Sequence, residues 1–226
     1  MKKLFVLLSI LAIVSTTAML RAAETNSAAE PKDAAYTRIL NERVTKIVAP
    51  LAITDATKSN RVHAAIVQQY RSLNDIHFVR DVQIGNAMKL SDKAAADTAI
   101  QSARDETKPK LDKLHGEFLA RLSADLSAEQ VDKVKDGLTY GVLPLTYGVY
   151  LKMYPELTAD QKSQIKAWLT EAREFAMDGS TSDEKHAVFG KYKGKINNFL
   201  SKAGYDAKKA EQNLKKPTAP TSDSRI

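Results

Sequence analysis

Cysteine is absent from the sequence, and aromatic residues, glycine and proline are few. Without cysteine the chain has no disulfide, no cysteine-ligated zinc, no thiol nucleophile and no lipid-modified lipoprotein cysteine. Aromatic residues make up 7% of the 226 residues, with 9 glycines and 7 prolines. This composition favours long helices over many short strands joined by turns. The apolar share of 43% is close to the globular average, which excludes a wholly disordered chain.

Common catalytic and cofactor motifs are missing as well. The sequence contains no GxSxG, no P-loop, no GxGxxG and no serine-lysine motif, and its four histidines form neither HExxH nor a repeated Glu-x-x-His. We therefore expect no cofactor and no metal site. Whether the protein is an enzyme stays open, and the missing motifs weigh against it.

The first 23 residues have the three parts of a secretory signal peptide. Lys2 and Lys3 precede an apolar run over residues 4–14, and small residues follow over 15–23. Eleven apolar residues are too few to span a bilayer. Removal of residues 1–23 takes away three positive charges and no acid, so the formal charge falls from +7 to +4 (7 − 3). We predict cleavage, export to the periplasm or the extracellular space, and no transmembrane segment after cleavage.

The rest of the chain is predicted to be all-α. Residues 24–33 are small and polar and are predicted to be a disordered spacer. Residues 34–205 follow the helical period almost throughout and are predicted to form a single bundle of six or seven helices. Residues 206–226 are predicted to be a short helical extension and a disordered tail.

Two similar segments mark two helix starts. Residues 126–138 read LSAEQVDKVKDGL, and residues 157–169 read LTADQKSQIKAWL. Ser127 and Thr158 are suited to be N-caps, and a glutamine three residues later completes a capping box in each. Two copies are too few for a solenoid, so both belong in one bundle. The apolar stripes of all helices predict a core of twelve residues: Ile66, Leu73, Phe118, Leu122, Val134, Leu138, Ile165, Trp168, Leu169, Phe189, Ile196 and Phe199.

A mixed polar strip on the second predicted helix is one half of a candidate ligand site. Arg71, Asn74, His77 and Asp81 fall on neighbouring turns, so carboxylate, guanidinium and imidazole lie within reach of one ligand. In this arrangement Asp81 would orient His77 across one turn. The alternative is an ordinary solvated face with charge pairs, and a histidine beside an apolar stripe is usually a satisfied boundary residue.

The other half is a tyrosine-rich segment after the first repeat. Glycine follows both Tyr140 and Tyr147, which lets a ligand or another backbone approach closely. A helix break is predicted around Gly141, Pro144 and Gly148, with the second TYGV, residues 146–149, re-entering a helix towards Tyr154. We hypothesise that Asp136 and these tyrosines face the polar strip across one pocket, with tyrosine rings stacked on the ligand. The alternative is that Tyr147, Tyr150 and Tyr154, spaced three and four residues apart, form the core stripe of a short helix, and the group as a whole fits both interpretations equally well.

Three longer strings carry a family resemblance. KDGLTYGVLPLTYGVYLKMYPELTADQ, ITDATKSNRVHAAIVQQYRSLNDIH and INNFLSKAGYDAKKAE resemble an uncharacterised family of secreted bacterial proteins, a domain of unknown function, over about residues 35–212. The resemblance implies a sugar-utilisation accessory by association. The LSAEQ and LTADQ starts are also similar to the Leu-Thr-x-x-Gln motif of small periplasmic helical chaperones.

Three classes of function follow. The first is a non-enzymatic exported binding or accessory protein, with a saccharide or another exported protein as its partner. The second is a saccharide-active hydrolase or lyase that uses His77 and Asp81. The third is a periplasmic chaperone or stress protein. The weak mature charge argues against a nucleic-acid partner.

Overall fold

The computed structural model describes residues 32–214, whose regular structure is entirely helical. The predicted all-α bundle is confirmed. The elements in chain order are α1 (Lys32–Val48), a 3-10 helix (Ala49–Leu51), α2 (Ala56–Ala87), α3 (Lys93–Ser123), α4 (Ala128–Leu138), α5 (Val142–Met153), α6 (Ala159–Met177), α7 (Ser182–Lys202) and α8 (Ala207–Leu214). Seven α-helices lie before residue 205, the upper of the two predicted numbers, and α8 follows them.

Three predicted segments lie wholly or mainly outside the described residues: the signal peptide, the spacer, and the tail beyond residue 214. The chain divides into two units, residues 1–39 and residues 40–226. Within the described part, the first unit holds only the start of α1, and the second holds the remaining helices. None of the described helices combines the length and apolar character that a membrane span requires.

Side-chain caps define where several helices begin. The side chains of Ser127 and Thr158 accept hydrogen bonds from the backbone N–H groups at N3. The side chains of the glutamines at N3 accept hydrogen bonds from the N-cap backbone N–H groups, as the repeat predicted. A third capping box, formed by Thr181 and Glu184, opens α7. Each box pairs backbone N–H groups that have no partner within the helix. The box at Thr181 fixes the start of α7, which lines the cleft described below.

The helices of the second unit enclose two hydrophobic clusters. The first gathers residues from α1 to α4 around Ile66, Phe118 and Val134, and the second joins α5 to α8 around Ile165 and Phe189. Ten of the twelve predicted core residues are buried.

Trp168 and Phe199 are the exceptions to the predicted core. Both are half-buried at the edge of the second cluster, with their rings packed edge to face at 5.2 Å between centroids. They lie beside the stripes of fully buried residues on α6 and α7, so one side of each ring stays accessible to solvent.

The predicted helix break is shorter than expected. It is confined to the turn after α4, where Tyr140 and Gly141 have φ angles of 59° and 66°. Pro144 lies in the first turn of α5, where a missing N–H leaves no hydrogen bond unmade. Gly148 lies inside α5 and does not interrupt it. One left-handed turn therefore separates α4 from α5.

Candidate ligand-binding cleft

A cleft of about 310 Å³ lies where the junction of α6 and α7 meets α2 and α3. We call it the His77 cleft. Its polar lining includes His77 and Arg80 of α2, Arg104, Thr107, Lys108 and Asp112 of α3, and Asp178 and Glu184 at the α6–α7 junction. Its apolar lining includes Leu111, Phe175 and Val188.

His77 is the buried histidine of this cleft, with 3% of its surface exposed. It belongs to the buried stripe of α2 that also contains Ile66 and Leu73. Its Nε2 atom lies 2.7 Å from the main-chain oxygen of Asp178. A carbonyl oxygen only accepts hydrogen bonds, so Nε2 carries the hydrogen. In the neutral ring Nδ1 then holds the lone pair, and this buried atom has no partner among the described residues.

Asp178 connects His77 to a second histidine. It is the C-cap residue of α6, and its Oδ2 accepts a 2.8 Å hydrogen bond from Nδ1 of His115 on α3. Its Oδ1 is buried and has no partner within the described part of the chain. Two residues of the His77 cleft thus each keep one buried acceptor unpaired. Buried polar atoms are nearly always paired in folded proteins, so these acceptors call for a ligand or water that donates hydrogen bonds.

The contacts of His115 keep it positively charged. The hydrogen bond with Asp178 and the contact with Glu174, whose Oε2 lies 3.6 Å from Nε2, raise the pKa of His115 to about 9, and burial opposes this. Burial acts to raise the pKa of Glu174, but contacts with His115 and Lys135 and the charge of Arg173 outweigh it and lower the pKa to about 2. The charged pair of His115 and Asp178 therefore forms a fixed wall behind His77.

Arg80 and Glu184 form an ion pair on the lining of the cleft. A terminal nitrogen of the guanidinium lies 2.7 Å from Oε1 of Glu184, and its Nε donates to Asp81 at 2.8 Å. Burial acts to raise the pKa of Glu184, but the backbone N–H of Ser180 and the guanidinium of Arg80 lower it below its usual range. Because Arg80 contacts two carboxylates, its guanidinium is held in a fixed orientation.

Two further groups of the lining are accessible to a ligand. Arg104 is exposed and makes no ion pair or hydrogen bond with any residue between 32 and 214. Phe175 is 58% exposed on α6, and Leu111 and Val188 extend the apolar lining. The cleft thus combines a flat apolar surface, a free positive charge and two unpaired acceptors.

Of the seven residues in the predicted site, His77 lines this cleft and the other six do not. On α2, Arg71 is half-buried and Asn74 is exposed. Asp81 is exposed and accepts from Arg80. The prediction that Asp81 orients His77 is wrong, since the ring is held by the main chain of Asp178 and its other nitrogen has no partner.

The predicted residues from α4, α5 and the turn between them lie in other surroundings. Asp136 accepts a 2.8 Å hydrogen bond from Arg173. Tyr140 is exposed in the turn and stacks on His186, with 5.8 Å between ring centroids. Tyr147 is half-buried against the second hydrophobic cluster, in agreement with the core-stripe alternative. A shared pocket for these residues and the polar strip stays a prediction.

Sequence reasoning missed most of the cleft. Asp178 and Glu184 lie 101 and 104 positions from their partners His77 and Arg80, and no local pattern links residues that far apart. Arg80 stands within the polar segment of α2, which was the available signal. Phe175 gave a signal too, because it is a large aromatic residue off the buried stripe of α6.

The fold and this cleft define an all-helical protein with a histidine-centred cleft between long helices. A family model described as a protein of unknown function, DUF3826, matches residues 37–218. The chain belongs to this family, and the match extends from α1 to beyond α8. No curated protein matches the chain.

Proposed function

We propose that this protein is an exported, non-enzymatic binding or accessory protein that holds part of a saccharide in the His77 cleft. The observation that carries the proposal is the pair of buried acceptors, Nδ1 of His77 and Oδ1 of Asp178, that lack hydrogen-bond donors. Sugar hydroxyls are donors of the required kind. A volume of about 310 Å³ suits a ligand of one or two sugar rings.

The rest of the lining supports the same class of ligand. The exposed ring of Phe175 offers a flat apolar face on which the C–H face of a sugar stacks. The free guanidinium of Arg104 suits a carboxylate substituent, to which arginine donates two parallel hydrogen bonds. An acidic sugar would therefore use the two acceptors, the ring of Phe175 and the guanidinium of Arg104 together.

The test is a thermal-shift screen of the purified protein against neutral and acidic mono- and disaccharides, followed by calorimetry of the compounds that raise the melting temperature. A ligand at one hundred times its Kd stabilises the native state by about 2.7 kcal/mol. We expect acidic sugars to give the larger shift. The proposal fails if no saccharide changes the melting temperature at millimolar concentration.

A matched pair of variants locates the bound sugar. Phe175→Ala removes the stacking face of the cleft, whereas Phe78→Ala removes an exposed ring on α2 that does not line it. We expect the first to weaken binding at least about fivefold, since ring stacking contributes about 1 kcal/mol or more. The second should leave the Kd unchanged. Equal effects of the two changes would place the sugar elsewhere.

The lone pair on Nδ1 of His77 favours a second candidate function, removal of a proton from the ligand. The protein would then be a lyase or hydrolase, and Asp178 would replace Asp81 as the acidic neighbour. To distinguish the two functions, an acidic oligosaccharide is incubated with the protein and the products are analysed. New reducing or unsaturated ends that disappear in His77→Gln, while binding persists, establish the enzyme. Binding without products establishes the accessory protein.

A further inference from the structure

From Lys185 onwards, α7 is rich in lysine and lacks acidic residues. Residues 185–205 contain five lysines and neither aspartate nor glutamate. Lys191, Lys195 and Lys202 are exposed, and none of them forms an ion pair within residues 32–214. Some exposed lysines elsewhere, such as Lys93 and Lys108, pair with an acid one turn away. The positive charge of this segment is thus left uncompensated locally.

These three lysines lie on one face of α7. Their spacings of four and seven residues place them along a single line on the helix surface. We call them the α7 lysine strip. Val188, three residues before Lys191, lines the His77 cleft, so the strip begins one turn from the cleft. From Val188 to Lys202 the helix rises about 21 Å.

Aromatic rings accompany the α7 lysine strip. The Nζ atom of Lys195 lies 4.6 Å from the centroid of the Trp168 ring and 5.6 Å from that of Tyr192. Trp168 lies two helical turns before Phe175 on α6, on the same side of that helix. Glu171, between them, contacts the hydroxyl of Tyr192. The surface along α6 and α7 therefore places the ammonium group of Lys195 beside two rings, and Trp168 leads on towards Phe175 in the cleft.

We propose that the α7 lysine strip binds a chain of an acidic polysaccharide whose end or side group occupies the His77 cleft. The strip supplies regularly spaced cations for repeating carboxylates, and its rings supply contact surface for sugar units. The choice of a saccharide as the polyanion rests on the proposed function. An anionic membrane fits the strip less well, because Trp168, Tyr192 and Phe199 are half-buried and do not protrude as an apolar face would.

The experiment compares polymers that differ only in charge. Binding of the protein to carboxymethyl dextran and to unmodified dextran of equal length is measured at low and at raised salt. We expect binding of the charged polymer alone, weakened by salt as exposed charges are screened. The variant Lys191→Gln/Lys195→Gln/Lys202→Gln should weaken it roughly tenfold, as expected for three exposed charge contacts.

The matched control removes three other exposed lysines. Lys89→Gln/Lys110→Gln/Lys152→Gln alters the net charge equally but changes residues outside α7. It should leave the affinity within about twofold of the unmodified protein, as expected when surface charges are screened at a distance. Equal losses in both triple variants would overturn the inference, because net charge rather than the strip would then hold the polymer.

Two more probes separate the alternatives. Tighter binding to phosphatidylglycerol vesicles or to inorganic polyphosphate than to carboxymethyl dextran would overturn the assignment of a saccharide. If short saccharides bind in the cleft but carboxymethyl dextran does not bind, this inference fails and the proposed function stands. If carboxymethyl dextran binds through the strip and no short saccharide shifts the melting temperature, the strip stands and the saccharide role of the His77 cleft fails.

Discussion

The Nε2 atom of His77 donates a hydrogen bond of 2.7 Å to the main-chain oxygen of Asp178, 101 positions further along the chain. This contact joins the buried stripe of α2 to the C-terminal end of α6, where carbonyl groups have no partner within the helix. It satisfies that carbonyl and fixes which nitrogen of the ring carries the hydrogen. The other nitrogen of His77 is left as the unpaired acceptor of the cleft.

His115 should make stability depend on pH. Its pKa is raised to about 9 in the folded state, so its stabilising charge is fully present below about pH 6.5 and is lost as the pH rises towards 9. We expect a loss of about 1 kcal/mol over this range, reduced by solvent screening of a partly exposed pair. Urea denaturation at a series of pH values measures it. His115→Gln should be less stable at pH 6 and lack this decline, and an unchanged slope in the variant would contradict the assignment.

Lys185 should make the folded protein more stable as the pH rises, which is the opposite of the effect of His115. Burial lowers its pKa to about 8, the charge of Arg43 acts the same way, and the carboxylates of Asp178 and Glu184 oppose them. The folded state thus loses this proton before the unfolded state, so the contribution of Lys185 to stability should rise from about pH 8 to pH 10.5. Comparing Lys185→Met with the exposed control Lys152→Met by urea denaturation isolates this rise. It should vanish only in the first variant.

The buried Arg173 should depend more on one of its two aspartates. It is 6% exposed as a side chain and contacts Asp132 at 2.6 Å and Asp136 at 2.8 Å, whose side chains are 58% and 29% exposed. Removing a partner leaves a buried charge undercompensated, which costs about 3 kcal/mol when the pair is well shielded. We expect Asp136→Ala to lower the free energy of unfolding by about 2–3 kcal/mol and Asp132→Ala by about 1 kcal/mol or less. Equal losses of unfolding free energy in the two variants would mean that burial does not determine how strongly each aspartate stabilises Arg173.

Gly137 and Gly190 are both helical but should respond differently to alanine. A Cβ atom on Gly137 would lie 3.0 Å from two carbons of the buried Ile47, whereas one on Gly190 would meet nothing within 4 Å. Gly137→Ala should therefore destabilise the protein by about 1 kcal/mol, since overpacking outweighs the gain in helix propensity. Gly190→Ala should stabilise it by about 0.5–1 kcal/mol. Thermal unfolding of both variants measures these two changes in stability. A rise in melting temperature for Gly137→Ala would contradict the packing argument.

Much of the fold was predictable because helix formation is local. The capping boxes at Ser127 and Thr158 close over three residues, and the buried stripes follow a period of 3.6. The same reasoning failed for Trp168 and made the helix break too long, although it correctly returned residues 146–149 to a helix. How far a large ring at the edge of a stripe is covered depends on the neighbouring helix, and a proline in a first turn does not break a helix.

The candidate site was far less predictable. His77 was identified because it stands in a polar segment of α2, but Asp81 was the wrong partner for it. A residue one turn away is always a possible contact on a helix, whereas Asp178 becomes a neighbour only when α6 ends beside α2. Phe175 likewise lines a cleft only because α3 lies opposite it.

The sequence by itself determined the all-helical class, the starts of α4 and α6 and most of the buried stripes, since each depends on hydrogen bonds and apolar spacing within a few residues. The tertiary structure alone decided that the carbonyl of Asp178 accepts a hydrogen bond from His77, that His115 pairs with Asp178 and Glu174, and that Phe175 remains exposed beside the cleft. The physical reason is that hydrogen-bond partners, burial and pKa depend on distances across the packed bundle, which no local period encodes.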